Sequence, residues 1–509
     1  PIEEPVVKEV VGKDKGSVQF AFRFDGYGSN DHAMVTMIDM ILSNSKAGLI
    51  DLHLNQEQKV LQAGSYPYFL KDYGMHSFTG TPRQGQTLEE VKDLLLAEID
   101  KVKNGEFEDW LPEAILNDMR LQEIRAQENN FSRVFKYISA FTKFMAYEDE
   151  LAFLDKLEKI TRDDIIQFAR ERYNDNYVVV YKRHGEPQNL IRVEKPPITS
   201  VAINREDKST FHQAFDTMAT GQIEPVFVDF ASAVVTEAFA PGADLSYIRN
   251  EDNELFTLVY ILDMGSKHDR LLPLAVEYLP YLGTGRYTPA GLQQELFRLG
   301  LSMDVNAGED RCYVSLSGLE TSFEKGVELL EHVLSSVVPD TATYRDYMEG
   351  ILKKRADDKL NKNTILWSRL FNYGKYGPFS PVTHILSEAE LANLDPAVLA
   401  DKLHQLTSYK HKVFYYGTRD LAGVRSMLRK HHQLPESLND YPPAAEFIFQ
   451  ESDQNRVFFV DYDMVQANIL MMAQGPSFDP SLVPPARLFG EYFGSGLSSI
   501  VFQEIRESK

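Results

Sequence analysis

Leu274-Ala275-Val276-Glu277-Tyr278-Leu279-Pro280-Tyr281-Leu282-Gly283-Thr284 is the stretch from which the fold is read. An apolar run, Leu255 to Leu262, precedes it. A helix-like segment, Pro289 to Leu299, and a second apolar run, Ser302 to Leu316, follow it. On a helix Leu274 and Tyr278 stand at i and i+4, on one face, with Glu277 beside them. Strand, helix, turn, helix, strand is the grammar of an α+β unit whose helices pack on an antiparallel or mixed sheet.

The same grammar is found elsewhere in the chain. Val18 to Phe24 alternates with period two, as a half-buried strand does. Asn30-Asp31 is expected to cap a helix bearing Met34, Met37, Ile38 and Ile41. Gly48 is expected to open a helix from Leu49 to Lys59. Leu88 to Val102 is amphipathic, Pro112 suits a first helical position, and Thr161 suits an N-cap with Asp163 and Asp164 in the first turn. Tyr177 to Tyr181 is apolar on both faces, which predicts an interior strand.

This order returns about 234 residues later. Leu157 to Thr161 corresponds to Leu391 to Asp395, Val178 to Tyr181 to Val413 to Tyr416, and Leu88 to Val102 to Phe323 to Leu334. A third copy is expected from Arg456. Its strands would be Val457 to Tyr462 and Asn468 to Ala473, and its helix would start at Phe478-Asp479-Pro480-Ser481. The expected organisation is tandem αβ domains at 1–184, 235–445 and 446–509, the last cut short. A surface linker at 185–234 carries Pro187, Pro196, Pro197 and Pro225.

Composition bounds the function. The chain has 509 residues, 43% of them apolar and 25% charged, with a net charge of −22. That length calls for several cores. The charge argues against nucleic acid, which needs a basic patch, and leaves neutral or basic peptides as partners. No apolar run is long enough to span a bilayer. No targeting segment is visible, which leaves periplasm and cytoplasm both open. The single cysteine, Cys312, excludes an internal disulfide and a cysteine-rich zinc site; it reads as a small buried residue. None of the twelve histidines lies four residues from another, so no helix carries a bis-histidine metal site. His431-His432 reads as a solvated helix end, and Lys353-Lys354-Arg355 with Asp357-Asp358 as a solvated charged face.

Glu277 with Leu282-Gly283-Thr284, the repeat order, and the segment Gly494-Ser495-Gly496-Leu497 to Phe502-Gln503-Glu504-Ile505-Arg506-Glu507 together resemble the pitrilysin/insulinase family of zinc peptidases. Its members carry His-x-x-Glu-His on a helix, where two histidines bind zinc and the glutamate works on the bound water. Four similar αβ domains in two halves close around a chamber, and only the first domain holds the metal. The resemblance implies that this chain is domain two, the linker, domain three and the start of domain four. Leu274 and Tyr278 then stand where the histidines would be, making Leu274, Glu277 and Tyr278 a vestigial motif. The third ligand position would fall near Leu352-Lys353-Lys354-Arg355, where a lysine repels a cation.

The resemblance also implies that Arg506 matches an arginine that touches substrate, with a tyrosine expected after Lys509. No catalytic residue, metal ligand or cofactor is expected in the chain itself. Zinc is expected in a first domain ahead of Pro1, and a peptide or unfolded protein as substrate. The complete protein would be a zinc metalloendopeptidase and this chain alone inactive. The alternative is a non-catalytic subunit or peptide-binding homologue that partners an active peptidase.

Overall fold

The computed structural model describes residues 2–186, 194, 207–219, 221, 224–451, 453–464 and 466–507. The principal strands and helices are numbered below in chain order. The first sheet contains β1 (Val6–Gly12), β2 (Ser17–Asp25), β3 (Gln62–Phe69), β4 (Tyr73–Thr81) and β5 (Tyr177–His184), in the order β1-β5-β2-β4-β3. Only β1 and β5 run parallel. β5 is interior, as its two apolar faces require. Along β2 the period-two pattern sends Val18, Phe20, Phe22 and Phe24 into the core, where Phe20 stacks on Phe78 at 4.9 Å.

The covering helices begin and end where local chemistry dictates. α1 (Asn30–Leu42), α2 (Leu88–Asn104), α3 (Leu111–Gln127), α4 (Asn130–Thr142) and α5 (Arg162–Arg172) follow in order. Thr87 with Glu90 and Thr161 with Asp164 form reciprocal capping boxes for α2 and α5, and Pro112 lies in the first turn of α3. α2 ends on Gly105 at φ 72°, a left-handed position that favours glycine. Two expectations fail here. Asp31 does not cap α1: Ser29 is the N-cap residue, and its hydroxyl donates back to the Gly26 carbonyl (2.7 Å) rather than capping the helix. Asp31 is instead buried. Its carboxylate accepts both Arg172 Nη1 (2.8 Å) and Nη2 (2.6 Å), and the Asp25 amide (3.0 Å), so it ties α1 to β2 and to the end of α5. The segment from Leu49 is wound as a π-helical turn over Asp51–Gln56 and stops short of Lys59.

The second sheet contains β6 (Val235–Ala240), β7 (Ala243–Arg249), β8 (Leu255–Leu262), β9 (Ser302–Ala307), β10 (Cys312–Leu319) and β11 (His411–Gly417). Its order is β9-β10-β8-β11-β7-β6, with only β11 and β7 parallel. Read outward from the parallel pair, β7-β11-β8-β10-β9 repeats β1-β5-β2-β4-β3 in order and in sense, and β6 is an added edge. The helices are α6 (Leu271–Tyr278), α7 (Pro289–Arg298), α8 (Phe323–Ser336), α9 (Thr341–Asp358), α10 (Pro396–His404) and α11 (Leu421–His431). Asp395 caps α10 ahead of Pro396. The class is therefore α+β, with helices on two mostly antiparallel sheets.

Both sheets belong to one compact unit, Pro1–Asn361 with Ile385–Ala445. Arg83 Nη2 reaches Asp346 Oδ1 at 2.6 Å and Arg125 Nη2 reaches Ser317 Oγ at 3.0 Å, while Lys46 lies over the Phe297 ring. Of the expected linker, 187–193, 195–206, 220 and 222–223 lie outside the described residues. Its described part holds the short helices Thr210–Asp216 and Phe230–Ala233 and no strand.

The second unit is Lys362–His384 with Glu446–Lys509. Asp479 accepts the Ser481 amide (2.8 Å), leading through the turn Pro480–Leu482 into α12 (Val483–Phe493). The strands expected at Val457 to Tyr462 and Asn468 to Ala473 are not formed. Among the described residues neither segment belongs to a sheet, and Phe459 and Met471 stay 81% and 90% exposed. Alternating apolar residues make a strand only where a neighbour accepts the hydrogen bonds and a layer covers one face.

Candidate functional site

α6 begins where Asp269 Oδ1 accepts the Leu271 amide (2.8 Å) and ends in the tight turn Leu279–Tyr281. Leu272, Ala275, Val276 and Tyr278 face the core; Leu274 packs half-buried against it, and Glu277 is exposed. Tyr278 is fully buried. Its ring stacks on Tyr347 at 5.2 Å and meets Tyr344 edge-on at 5.7 Å. Its hydroxyl donates to the Asp340 carbonyl at 2.9 Å. Burial pushes the phenol up to about 12, so it remains a donor. Tyr347 donates weakly to Glu277 Oε2 (3.4 Å) and to the Leu274 carbonyl (3.3 Å).

The turn after α6 is anchored rather than free. Thr284 Oγ1 accepts the amides of Arg286 and Tyr287, both at 3.1 Å, and lies 2.9 Å from His332 Nε2 on α8. At Gly283 a Cβ would lie 3.0 Å from the Tyr287 carbonyl, too close for comfort, which accounts for glycine at that point.

These residues do not fit zinc. Leu274 has no donor atom, the Tyr278 oxygen is committed to a carbonyl, and Glu277 has no histidine beside it. Near the third position, Lys353 is paired with Asp357, and Arg355 Nη1 donates to the Leu386 carbonyl at 2.8 Å. Asp357 is buried, so this is a fastened part of α9 and not the solvated face expected. Among the described residues no group of three or more His, Cys, Asp and Glu side chains is placed to hold a metal ion. Cys312 is buried in β10, and burial pushes its thiol up to about 12, which leaves it unreactive. Arg506 lies in the second unit, on the π-helical turn Phe502–Glu507. It is exposed, with its guanidinium 4.7 Å from the centre of the Phe502 ring.

Two buried polar networks were not legible in residue spacing. In the first sheet Tyr173 OH lies 2.7 Å from His76 Nδ1, and His76 Nε2 lies 2.9 Å from Asp39 Oδ1, which also accepts Ser65 Oγ (2.7 Å). In the second, Tyr260 OH donates to Glu331 Oε1 (2.7 Å), which meets His432 Nδ1 at 2.8 Å. His432 Nε2 then meets His411 Nε2 at 2.9 Å, and His411 Nδ1 lies 2.7 Å from the Tyr409 carbonyl. A carbonyl only accepts, so His411 Nδ1 carries hydrogen; its Nε2 accepts and His432 Nε2 donates. His432 is thus a buried link between α8 and β11 and not a solvated helix end.

Burial pushes His411 down to about 4, against the pull of the Tyr409 carbonyl. An unfolded histidine titrates near 6.5. Between those values the unfolded chain takes up a proton that the folded chain refuses, so stability is lost as pH falls from about 6.5 towards 4. His411 alone accounts for about 3 kcal/mol over that window. His32, also pushed down to about 4 by burial, adds to the loss; Asp51, pushed up to about 6 by burial, opposes it. Urea unfolding at stepped pH is expected to show a shallower dependence in His411→Gln than in the parent chain. Identical slopes would refute the assignment.

Residues 1–119 match the family model described as the peptidase M16 inactive domain. No curated protein matches the chain. Among solved structures, the chain is similar to a mutant of the ferredoxin protease FusC in complex with Arabidopsis ferredoxin. Identity is 13%, covering 88% of this chain and 53% of that one, with a TM-score of 0.45. The periplasmic protease PqqL from Escherichia coli gives 10% identity, 87% and 52% coverage and a TM-score of 0.37. A protease from Helicobacter pylori gives 15%, 43%, 55% and 0.36. The chain spans about half the length of each of these structures. Over residues 1–119, the chain is thus similar to the inactive domain of the M16 peptidases, the pitrilysin/insulinase family.

Proposed function

We propose that this chain is the portion of a zinc-dependent endopeptidase that binds no zinc itself, walls a closed chamber and contributes a substrate contact at Arg506. The observation that carries the reading is Tyr278. A residue at a ligand position of the motif helix is wholly committed to packing and to the Asp340 carbonyl, in a chain whose residues 1–119 match an inactive peptidase domain. The strand order shared by the two sheets supports domains at 1–184 and 235–445; in this reading 446–509 opens another. In this reading the metal and the reacting centre belong to another domain of the complete protein. A chain that served only as a non-catalytic subunit would have no His-x-x-Glu-His elsewhere in its own polypeptide.

Arg506 is the residue to test. A guanidinium offers several charge-assisted donors to peptide carbonyls or a terminal carboxylate. Holding a peptide across a chamber is a positioning task, so the loss is expected mainly in kcat. In the complete protein, Arg506→Ala is expected to lower kcat/KM on an unstructured peptide by about tenfold to a thousandfold, the scale of about 1–4 kcal/mol. Zinc content should not change, and the 509-residue chain by itself should bind none. Full activity in the variant would make Arg506 an ordinary surface residue. Stoichiometric zinc on the isolated chain would overturn the wider reading.

A further inference from the structure

α4 turns its apolar side away from the protein. Its least exposed positions are Ser132, Lys136, Ser139 and Ala140. The opposite side carries Phe131, Val134, Phe135, Ile138 and Phe141, with Phe131 and Phe141 69% and 82% exposed. An amphipathic helix ordinarily buries its apolar stripe, and an open patch of this kind marks an interaction surface. The cations beside it, Lys136 and Lys143, are already paired with Glu123 and Glu150, so contact there would be made by packing.

α4 has a counterpart in the second repeat, and the counterpart is covered. α4 lies between the long helix α3 and the short helix Phe153–Glu158, which leads to α5 and the closing strand β5. The helical turns Thr364–Leu370 and Phe371–Tyr376 lie between the long helix α9 and the short helix Glu388–Ala392, which leads to α10 and β11. These turns share the second unit with Glu446–Lys509. Tyr373 meets Phe458 edge-on at 5.4 Å, and Tyr376 stacks on Phe449 at 5.0 Å. The Gln450 amide donates to the Lys375 carbonyl at 2.8 Å. At Gly374 a Cβ would come within 2.5 Å of Met472 Cε, so that methyl group lies directly on the helix. In the second repeat, then, the helix at this position carries the segment that follows the repeat. The second repeat itself does not cover α4. It joins the first through Arg83 with Asp346 and through Phe297, which is buried in the first core, and the stripe stays open. Resting on the peptidase reading above, we propose that the outward stripe of α4 docks a further αβ domain of this repeat, the zinc-bearing one, as Thr364 to Tyr376 docks the segment from Glu446.

Cys312 is buried and unreactive, so a cysteine introduced on α4 can be followed alone in this chain. Ile138→Cys is to be labelled with Ellman's reagent in the 509-residue chain and in the complete protein, each against its parent. The thiol is expected to react freely in the chain and at least about tenfold more slowly in the complete protein. Adding Phe131→Ser with Phe135→Ser should restore most of the lost rate in the complete protein. The same pair should leave the unfolding transition of the 509-residue chain in place, since both rings are solvent-facing. Equal rates in the two proteins would overturn the docking, and a rate still slow in the serine variant would overturn the assignment to α4. Zinc content of the same samples reports separately on the peptidase reading. One zinc with an unprotected thiol leaves that reading standing; a protected thiol without zinc keeps the docking surface and overturns that reading. Protection that grows with concentration in the 509-residue chain alone, or on adding phosphatidylglycerol vesicles, would overturn the proposal in favour of a second copy or a membrane.

Discussion

Tyr278→Ala is expected to destabilise the unit containing the second sheet by about 3–5 kcal/mol, the cost of deleting a large buried ring whose site collapses poorly. The surroundings explain why collapse would be poor. Tyr344 and Tyr347 stand three residues apart on α9, both turned towards α6, and each touches the Tyr278 ring from a different angle. Removing the ring also frees the Asp340 carbonyl at the start of α9. Tyr278→Phe keeps the packing and loses the hydrogen bond, so about 1 kcal/mol is expected. Glu277→Gln, on the exposed side of the same helix, should change stability by less than about 0.5 kcal/mol. Urea unfolding followed by circular dichroism measures all three. A loss below about 1 kcal/mol for Tyr278→Ala would mean that the position is not structural, and would reopen a ligand-binding role for α6.

Glu331→Ala should be comparably severe. The carboxylate is the hub between Tyr260 and His432, both fully buried or nearly so. Its loss leaves the Tyr260 hydroxyl and His432 Nδ1 without the partner they share, and breaking a buried pair from one side costs about 3–5 kcal/mol. Burial and the neighbouring carboxylate push the Tyr260 phenol far up, so it cannot escape by ionising. Glu331→Gln keeps one acceptor for Tyr260 and should cost less. The double replacement Glu331→Leu with His432→Leu removes both partners together. It should cost less than the sum of the single losses, a coupling of at least about 1 kcal/mol. Additive losses in that cycle would show that the two side chains act independently.

These two variants separate what residue identity decides from what the fold decides. That Leu274 and Tyr278 exclude a bis-histidine site follows from their atoms alone, and so does the absence of histidines four apart anywhere in the chain. Helix boundaries at Thr161, Pro112 and Asp395-Pro396 were equally legible, because a cap or a proline acts within one turn. β2 and β5 were legible because period-two burial is a property of one strand against one layer. The α+β class followed from the order of those local signals.

Other features depend on groups distant in the sequence. Asp31 looked like a cap, but its carboxylate is taken up by Arg172 and the Asp25 amide. His432 looked solvated, yet packing of α8 and α11 brings Glu331 and His411 to its two ring nitrogens. Val457 to Tyr462 had a strand's pattern and is not a strand. α4 carries Phe131, Phe135 and Phe141 on its exposed side. Sequence alone determined which elements could form, which side chains could never bind zinc, and where helices stop, since those depend on atoms within a few residues. Tertiary structure decided which polar groups are buried, what they pair with and which apolar faces stay open. Those depend on desolvation and on contacts between segments as far apart as Arg83 and Asp346, 263 residues, and no local pattern encodes them.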